Sequence, residues 1–184
     1  QLVAGGALGS AFIPTFAGLL AQERRRDAWR LASAIINLLM LLLTLLSFLA
    51  SLLAGPLVRH IIAPGFTPAQ QALTAHLMRL MLLTPIIFGV SGVLMGILNS
   101  HQHFLTPALA PSLYNLAIIA GALWLSPSLG VEGLAIGVVV GALLHLLVQM
   151  PALCRLDGFY VPILGLRDAN VREVGRLMLP RTIG

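Results

Sequence analysis

The chain alternates between long stretches that lack any Asp, Glu, Lys or Arg and short polar connectors. Residues 1–22, 31–58 and 133–154 are free of charge, and a further gap runs from Leu80 to Val131 over 52 residues. A helix needs roughly 20 apolar residues to cross the hydrocarbon core, so the longest gap holds two crossings. The polar run Asn99-Ser100-His101-Gln102-His103, closed by Pro107, is the turn between them. The pattern predicts five crossings, at about 2–21, 31–55, 77–99, 107–126 and 131–153, and the start of a further helix near 172. Each must be a helix, because an open strand in lipid leaves its backbone groups unpaired. A barrel would need alternating segments of about ten residues, and the unbroken apolar run 38–43 does not alternate. The fold class that follows is all-α, a polytopic transmembrane helix bundle forming a single lobe over residues 1–184.

Composition agrees with the pattern. Hydrophobic residues make up 58% of the chain and charged residues 9%, against roughly 25% charged in a soluble domain. A soluble domain of this size could not hide so much apolar side chain. The net charge of +5 comes from 11 arginines and no lysine. These sit in two short clusters rather than along one face, which argues against a nucleic-acid partner. Cys154 is the only cysteine, and no Cys/His set has metal-ligand spacing, so neither a metal nor a cofactor is expected. The chain opens on Gln1-Leu2 and closes inside a new apolar stretch, which reads as a piece of a longer chain.

Arginine placement gives direction. The first connector holds Arg24, Arg25, Arg26 and Arg30, and the fifth, after the fifth crossing, holds Arg155, Arg167, Arg172 and Arg176. The second holds only Arg59 and the fourth none. The positive-inside rule then puts connectors one, three and five in the cytoplasm. Trp29 and Trp124 fall at span ends, as interfacial aromatics do.

In lipid a polar side chain must find a partner, so polar residues within spans are where function would show. Ser10, Asn37, Ser47, Ser91, Asn99, Tyr114, Asn115, His145 and Gln149 form that set. His145 and Gln149 share a helix face and are expected to hydrogen-bond between helices. Arg79 and Arg59 are expected to snorkel to headgroups, and the piece Leu57–Ala63 and the fifth connector to lie along the interfaces. Pro14, Pro85 and Pro111 are expected to kink their helices. Gly133, Gly137 and Gly141, like Gly89, Gly92 and Gly96, have the spacing of close helix packing. The six acids all lie at connectors, and no catalytic constellation emerges. The residues alone therefore favour transport over enzymatic chemistry.

The order of the motifs goes further. Gly6-Ala7-Leu8-Gly9-Ser10-Ala11-Phe12-Ile13-Pro14 resembles the second helix of the MurJ/MviN lipid II flippase family. Ala63-Pro64-Gly65-Phe66 resembles the family's APGF after helix three. Gly96-Ile97-Leu98-Asn99, then Phe104, Pro107, Pro111 and Asn115, resembles its G-x-L-N…F-x-x-P-A-x-A-P-x-x-x-N run. Gly133-Leu134-Ala135 and Gln149-Met150-Pro151 match in register. Five short motifs in order over nearly the whole chain make a specific match.

The resemblance implies helices two to six of a fourteen-helix flippase and the start of the seventh. It also implies alternating access in the bacterial cytoplasmic membrane, acting on lipid II, the undecaprenyl-pyrophosphate-linked peptidoglycan precursor. The partners would be membrane lipids and the remainder of the same chain. It makes Gln1, Gly5, Ser10, Pro14 and Asn115 substrate-pathway candidates, and Pro64, Gly65, Phe66, Gly96, Asn99, Pro107 and Pro111 structural motif positions. Gln1 stands where relatives often carry arginine and Gly5 where many carry glutamate, so the charges that grip the substrate would lie outside this stretch. A flippase for another lipid-linked oligosaccharide is the alternative, followed by a membrane scaffold that binds lipid without moving it. Residues 1–184 expressed alone should fail to rescue a flippase-depletion strain, and colony recovery would overturn the fragment reading.

Overall fold

A computed structural model describes the backbone of residues 2–183 and the side chains of residues 11–177. The order is α1 (Leu2–Ala21), α2 (Arg25–Leu52), α3 (Ala54–Leu57), a π turn (Val58–Ile62), α4 (Pro68–Met81), α5 (Leu83–Ser100), α6 (Leu105–Ala120), a second π turn (Gly121–Leu125), α7 (Ser126–Leu129), α8 (Val131–Leu147), α9 (Met150–Leu153), a 3-10 turn (Cys154–Leu156) and α10 (Ala169–Ile183). No strand occurs among the described residues. Among the described residues four helical rods are long and apolar enough to cross a membrane: Arg25–Leu52, Pro68–Ser100, Leu105–Leu129 and Val131–Leu156.

Prolines place the breaks within these rods. A proline lacks the N–H that would reach the carbonyl four residues back. Pro56 thus leaves Leu52 without its donor, and α2 ends at Leu52. Pro151 does the same to Leu147, where α8 ends. Pro85 withholds a donor from Met81, and the Thr84 hydroxyl supplies one instead at 2.7 Å. The rod therefore only jogs at Leu82 and continues into α5. Pro127 follows the second π turn, whose wider ladder makes room for its ring. The rod of the third crossing starts at Pro68, nine residues before the predicted 77, behind a capping box between Thr67 and Gln70.

Two of the turns at the end of the bundle that carries Arg25, here the Arg25 end, close in the same way. Arg24 N–H bonds Leu19 O at 2.9 Å and Glu23 N–H bonds Leu20 O at 3.0 Å, with Glu23 at φ 58°. His103 N–H bonds Leu98 O at 2.9 Å and Gln102 N–H bonds Asn99 O at 3.0 Å, with Gln102 at φ 59°. Both are Schellman closures that satisfy the last carbonyls of α1 and α5.

The helices pack α1 on α5 and α10, α2 on α5, α5 on α8 and, most extensively, α6 on α8. Glycine makes the last contact possible. A Cβ on Gly121 would lie 2.8 Å from Gly137 Cα, and one on Gly137 would lie 3.0 Å from Ala117 O. The predicted Gly133/Gly137/Gly141 face is thus a backbone-to-backbone contact with α6. The main core lies at the Arg25 end and includes Phe12, Phe16, Leu31, Ile35, Ile97, Leu98 and Val174. A smaller one, at the opposite end, holds Ala54, Val58, Ala63 and Ala75.

Several expectations change. Trp29 sits at a span end but does not face lipid: it is 6% exposed and meets the Phe16 ring edge-on at 6.1 Å. The fifth connector is largely exposed, but it does not run free. It runs back against α2, where Asn37 Nδ2 donates to Val161 O (3.2 Å) and Ile163 O (2.8 Å). Tyr160 donates its hydroxyl proton to Asn37 Oδ1, and Val161 N–H bonds Ser33 Oγ at 3.1 Å. Asn37 lies six residues, about 9 Å at 1.5 Å per residue, beyond Leu31, where the charge-free run begins. Its amide is present because it satisfies irregular backbone at that depth. Arg25 donates to Leu156 O at 2.7 Å and Arg172 to Leu166 O at 3.0 Å, so two connector arginines close backbone rather than face lipid alone.

Replacing Gly137 by Leu should destabilise the α6–α8 contact by about 1–3 kcal/mol, the usual cost of overpacking. Gly175→Ala, whose Cβ meets nothing within 4 Å, should leave the melting temperature in detergent unchanged or slightly raised. Thermal unfolding of the two variants side by side checks this.

Candidate functional site

The face of α1 opposite its core packing opens into a cleft. Phe12 and Phe16 point into the main core, while Pro14 is exposed and Thr15 and Gly18 are half-buried. Pro14, Thr15, Gly18, Gln22, Asn170 and Glu173 line a cleft of about 320 Å³ between α1 and α10, with Arg24 at its rim. Three features hold its walls. Thr15 returns its hydroxyl proton to Ala11 O at 3.0 Å, which suits a helix loosened by Pro14. Asp168 caps α10 by accepting the Asn170 N–H at 2.9 Å. Arg24 is held to Asp27 at 2.8 Å. Within a lobe whose outer faces are leucine-rich, this is a polar recess with both signs of charge.

A second polar group is sealed in the middle of the lobe. Ser91 on α5 is 0% exposed, and Gln149, just past α8, is also 0% exposed. Gln149 Nε2 donates to Ser91 Oγ at 2.6 Å and to His145 O at 2.8 Å. Ser91 Oγ lies 2.7 Å from His145 Nδ1. Ser91 thus accepts from Gln149 and shares a hydrogen bond with His145 Nδ1 whose direction goes with the imidazole tautomer. Phe88 packs edge-on against the His145 ring at 5.1 Å and against Tyr114 at 5.2 Å. The expected helix-packing role of His145 and Gln149 holds, with Ser91 as their common partner. The cluster ties α5 to the end of α8, and no outlet reaches it from the α1–α10 cleft among the described residues.

A family profile described as "Lipid II flippase MurJ" matches residues 1–184. The chain belongs to the MurJ lipid II flippase family. It is 32% identical over 192 residues to "Lipid II flippase MurJ" of Burkholderia cenocepacia, covering 99% of this chain and 37% of that protein. It is 33% identical over 191 residues to "Probable lipid II flippase MurJ" of Bdellovibrio bacteriovorus, covering 100% and 36%. The solved structure "Lipid II flippase MurJ, inward closed conformation" superposes with a TM-score of 0.78 at 21% identity, over 98% of this chain and 38% of that one. That likeness shows the fold. The chain therefore spans a little over a third of the length of these relatives. Membership and the four long apolar rods make it a multi-pass membrane protein.

The family motifs fall at distinct places in the lobe. Gln1 and the side chains of Gly5 and Ser10 lie outside the described residues. Of the pathway candidates, Pro14 borders the α1–α10 cleft. Asn115 does not join it: it is exposed on α6, which shares only α5 as a packing neighbour with α1. Pro64, Gly65 and Phe66 form an exposed turn, with Phe66 N–H on Ala63 O at 3.2 Å. Gly96 lets α1 approach α5, since a Cβ there would lie 3.0 Å from the Phe12 ring. Asn99 gives its carbonyl to the α5 closure. Pro107 is buried in the first turn of α6, where its missing N–H costs no helical bond, and Pro111 is exposed within it. The motifs thus mark turns and close approaches. The polar cleft residues Gln22, Asn170 and Glu173 carried no sequence signal, because they come from helices far apart in the chain.

Ser91→Ala should destabilise the lobe by about 1–3 kcal/mol, because it leaves a buried imidazole nitrogen without a partner. A double-mutant cycle with His145→Ala, read by thermal unfolding, should return a coupling of about 0.5–3 kcal/mol.

Proposed function

We propose that this chain forms most of the N-terminal lobe of a flippase that moves lipid II across the bacterial cytoplasmic membrane by alternating access. The observation that carries the reading is the α1–α10 cleft. One face of α1 is locked into the core by Phe12, which packs on Gly96 of α5, and by Phe16, while the opposite face presents Pro14, Thr15 and Gly18 to a polar recess. A recess of that kind suits the headgroup of a lipid that cannot cross hydrocarbon bare. Family membership supports the substrate class. The arginine distribution supports an orientation with the Arg25 end in the cytoplasm. On this reading α1 and α10 form one wall of the pathway, and the cationic residues that grip pyrophosphate belong to the rest of the protein.

The chemistry asked of this wall is positioning. No bond is made or broken, so the lobe needs a rigid body that rocks as a unit, and a face that tolerates both polar headgroup and water. The α6–α8 glycine contact and the sealed Ser91–His145–Gln149 cluster give it that rigidity.

The test uses a chimera in which this chain replaces the matching segment of a full-length relative. A Cβ on Gly18 would meet nothing within 4 Å, so Gly18→Trp fills the cleft without forcing the core. Gly18→Trp should cut rescue of a depletion strain at least tenfold, whereas Leu41→Trp, on a residue 58% exposed on the outer face of α2, should retain it. Equal rescue by both would remove the cleft from the pathway.

A further inference from the structure

A second cleft lies at the opposite end of the bundle, between α3 with the π turn that follows it and one face of α4. It has a volume of about 390 Å³, and its lining includes Gly55, Pro56, Arg59, His60, Gln71 and Arg79. Arg59 and Arg79 lie 20 positions apart in sequence, and each by itself is expected to reach for the membrane surface. The proline-bounded turn brings them to one site.

The walls are fixed before any ligand arrives. Pro56 sits in α3, and Pro68 starts α4 behind the Thr67–Gln70 capping box. Gln71 Nε2 donates to Ala63 O at 3.3 Å and ties α4 to the end of the π turn. Arg79 uses Nε on Ser51 O at 3.1 Å, which aims the guanidinium and leaves both terminal nitrogens without a bond to any described residue. Arg59 makes no side-chain hydrogen bond to any described residue. No carboxylate lines the cleft. Glu132, the one acid on the connectors at this end, lies 3.7 Å from His76 and outside the lining.

Two guanidinium groups facing one recess without a counter-charge repel each other and call for an anion. Planar N–H forks match phosphate oxygens bidentately. The surroundings decide the source of that phosphate. Leu52, Leu53, Ile61, Ile62 and Phe66 are all at least half exposed around the cleft. In a multi-pass protein such a rim sits in the outer acyl chains, next to the headgroup layer where phospholipid phosphates lie.

We propose that the Arg59–Arg79 cleft is a binding site for the phosphate of an anionic lipid headgroup, at the membrane surface opposite the Arg25 end. The site needs the membrane setting but not the transport reading, so it stands or falls separately from the α1–α10 pathway. Its occupant neutralises the pair and staples the α2–α4 turn to the leaflet, holding the far end of the lobe at a fixed depth.

The probe is short-chain phosphatidylglycerol titrated onto the purified protein in neutral detergent and followed by native mass spectrometry. Short-chain phosphatidylcholine and inorganic phosphate serve as comparison ligands. Phosphatidylglycerol should bind about tenfold more weakly to Arg59→Gln than to the unaltered protein, equivalent to about 1.4 kcal/mol. Arg79→Lys, which keeps the charge but loses the fork, should weaken it as well. Arg59 bonds no described residue, so Arg59→Gln keeps the fold and the test does not depend on the second variant. Arg26→Gln/Arg30→Gln at the other end should leave this binding unchanged. An equal loss in that control would mean diffuse charge attraction and would overturn the site. Inorganic phosphate binding as tightly as phosphatidylglycerol would overturn the lipid as its source.

Discussion

Every feature of this lobe answers to one constraint: in hydrocarbon each backbone carbonyl and N–H must find its partner inside the protein. Eleven prolines in 184 residues strain that rule repeatedly, and the structure shows how the strain is met. Where Pro85 withholds a donor, Thr84 supplies one to Met81 O. Where Pro56 and Pro151 do so, the helix stops and a short turn takes over. Where α1 and α5 end, Glu23 and Gln102 adopt left-handed backbone so that the next amides can close the last carbonyls. The irregular connector after the fifth crossing is the largest test, and Asn37, Ser33, Arg25 and Arg172 answer it from the side chain.

Rigidity follows from that solution. With backbone needs met inside each rod, the helices are free to pack closely, and at α6–α8 glycines let the backbones touch. Two groups of polar side chains bear on how the lobe is held together and what it presents. One is the sealed group of Ser91, His145 and Gln149, which ties α5 to α8. The other is the open recess between α1 and α10. A lobe built this way suits the rigid-body movement proposed for it, with the polar recess as the proposed wall of the pathway.

Much of this was legible in the chain. The charge gaps coincide with long apolar helices because burying charge in lipid is costly, and Gly133, Gly137 and Gly141 announced a close contact by spacing alone. Pro14 could be singled out on α1 because a proline inside an apolar run has few other uses. Other positions misled for equally physical reasons. Trp29 has the composition of an interfacial anchor, yet Phe16 and His101 pack around its ring. Asn37 looked like a polar residue in a span, and only the returning connector explains it.

The sequence by itself determined the helical class, the apolar runs long enough to cross and which family the motifs resemble. Those properties depend on neighbours within a few residues, or on transfer of one segment at a time between water and lipid. Only the tertiary structure decided which distant side chains meet: Arg59 with Arg79 in one cleft, Pro14 with Asn170 and Glu173 in another, Ser91 with His145 and Gln149 between them. Such pairings depend on helix rotation and crossing, and these are set by the sum of many small packing contacts that no single motif encodes.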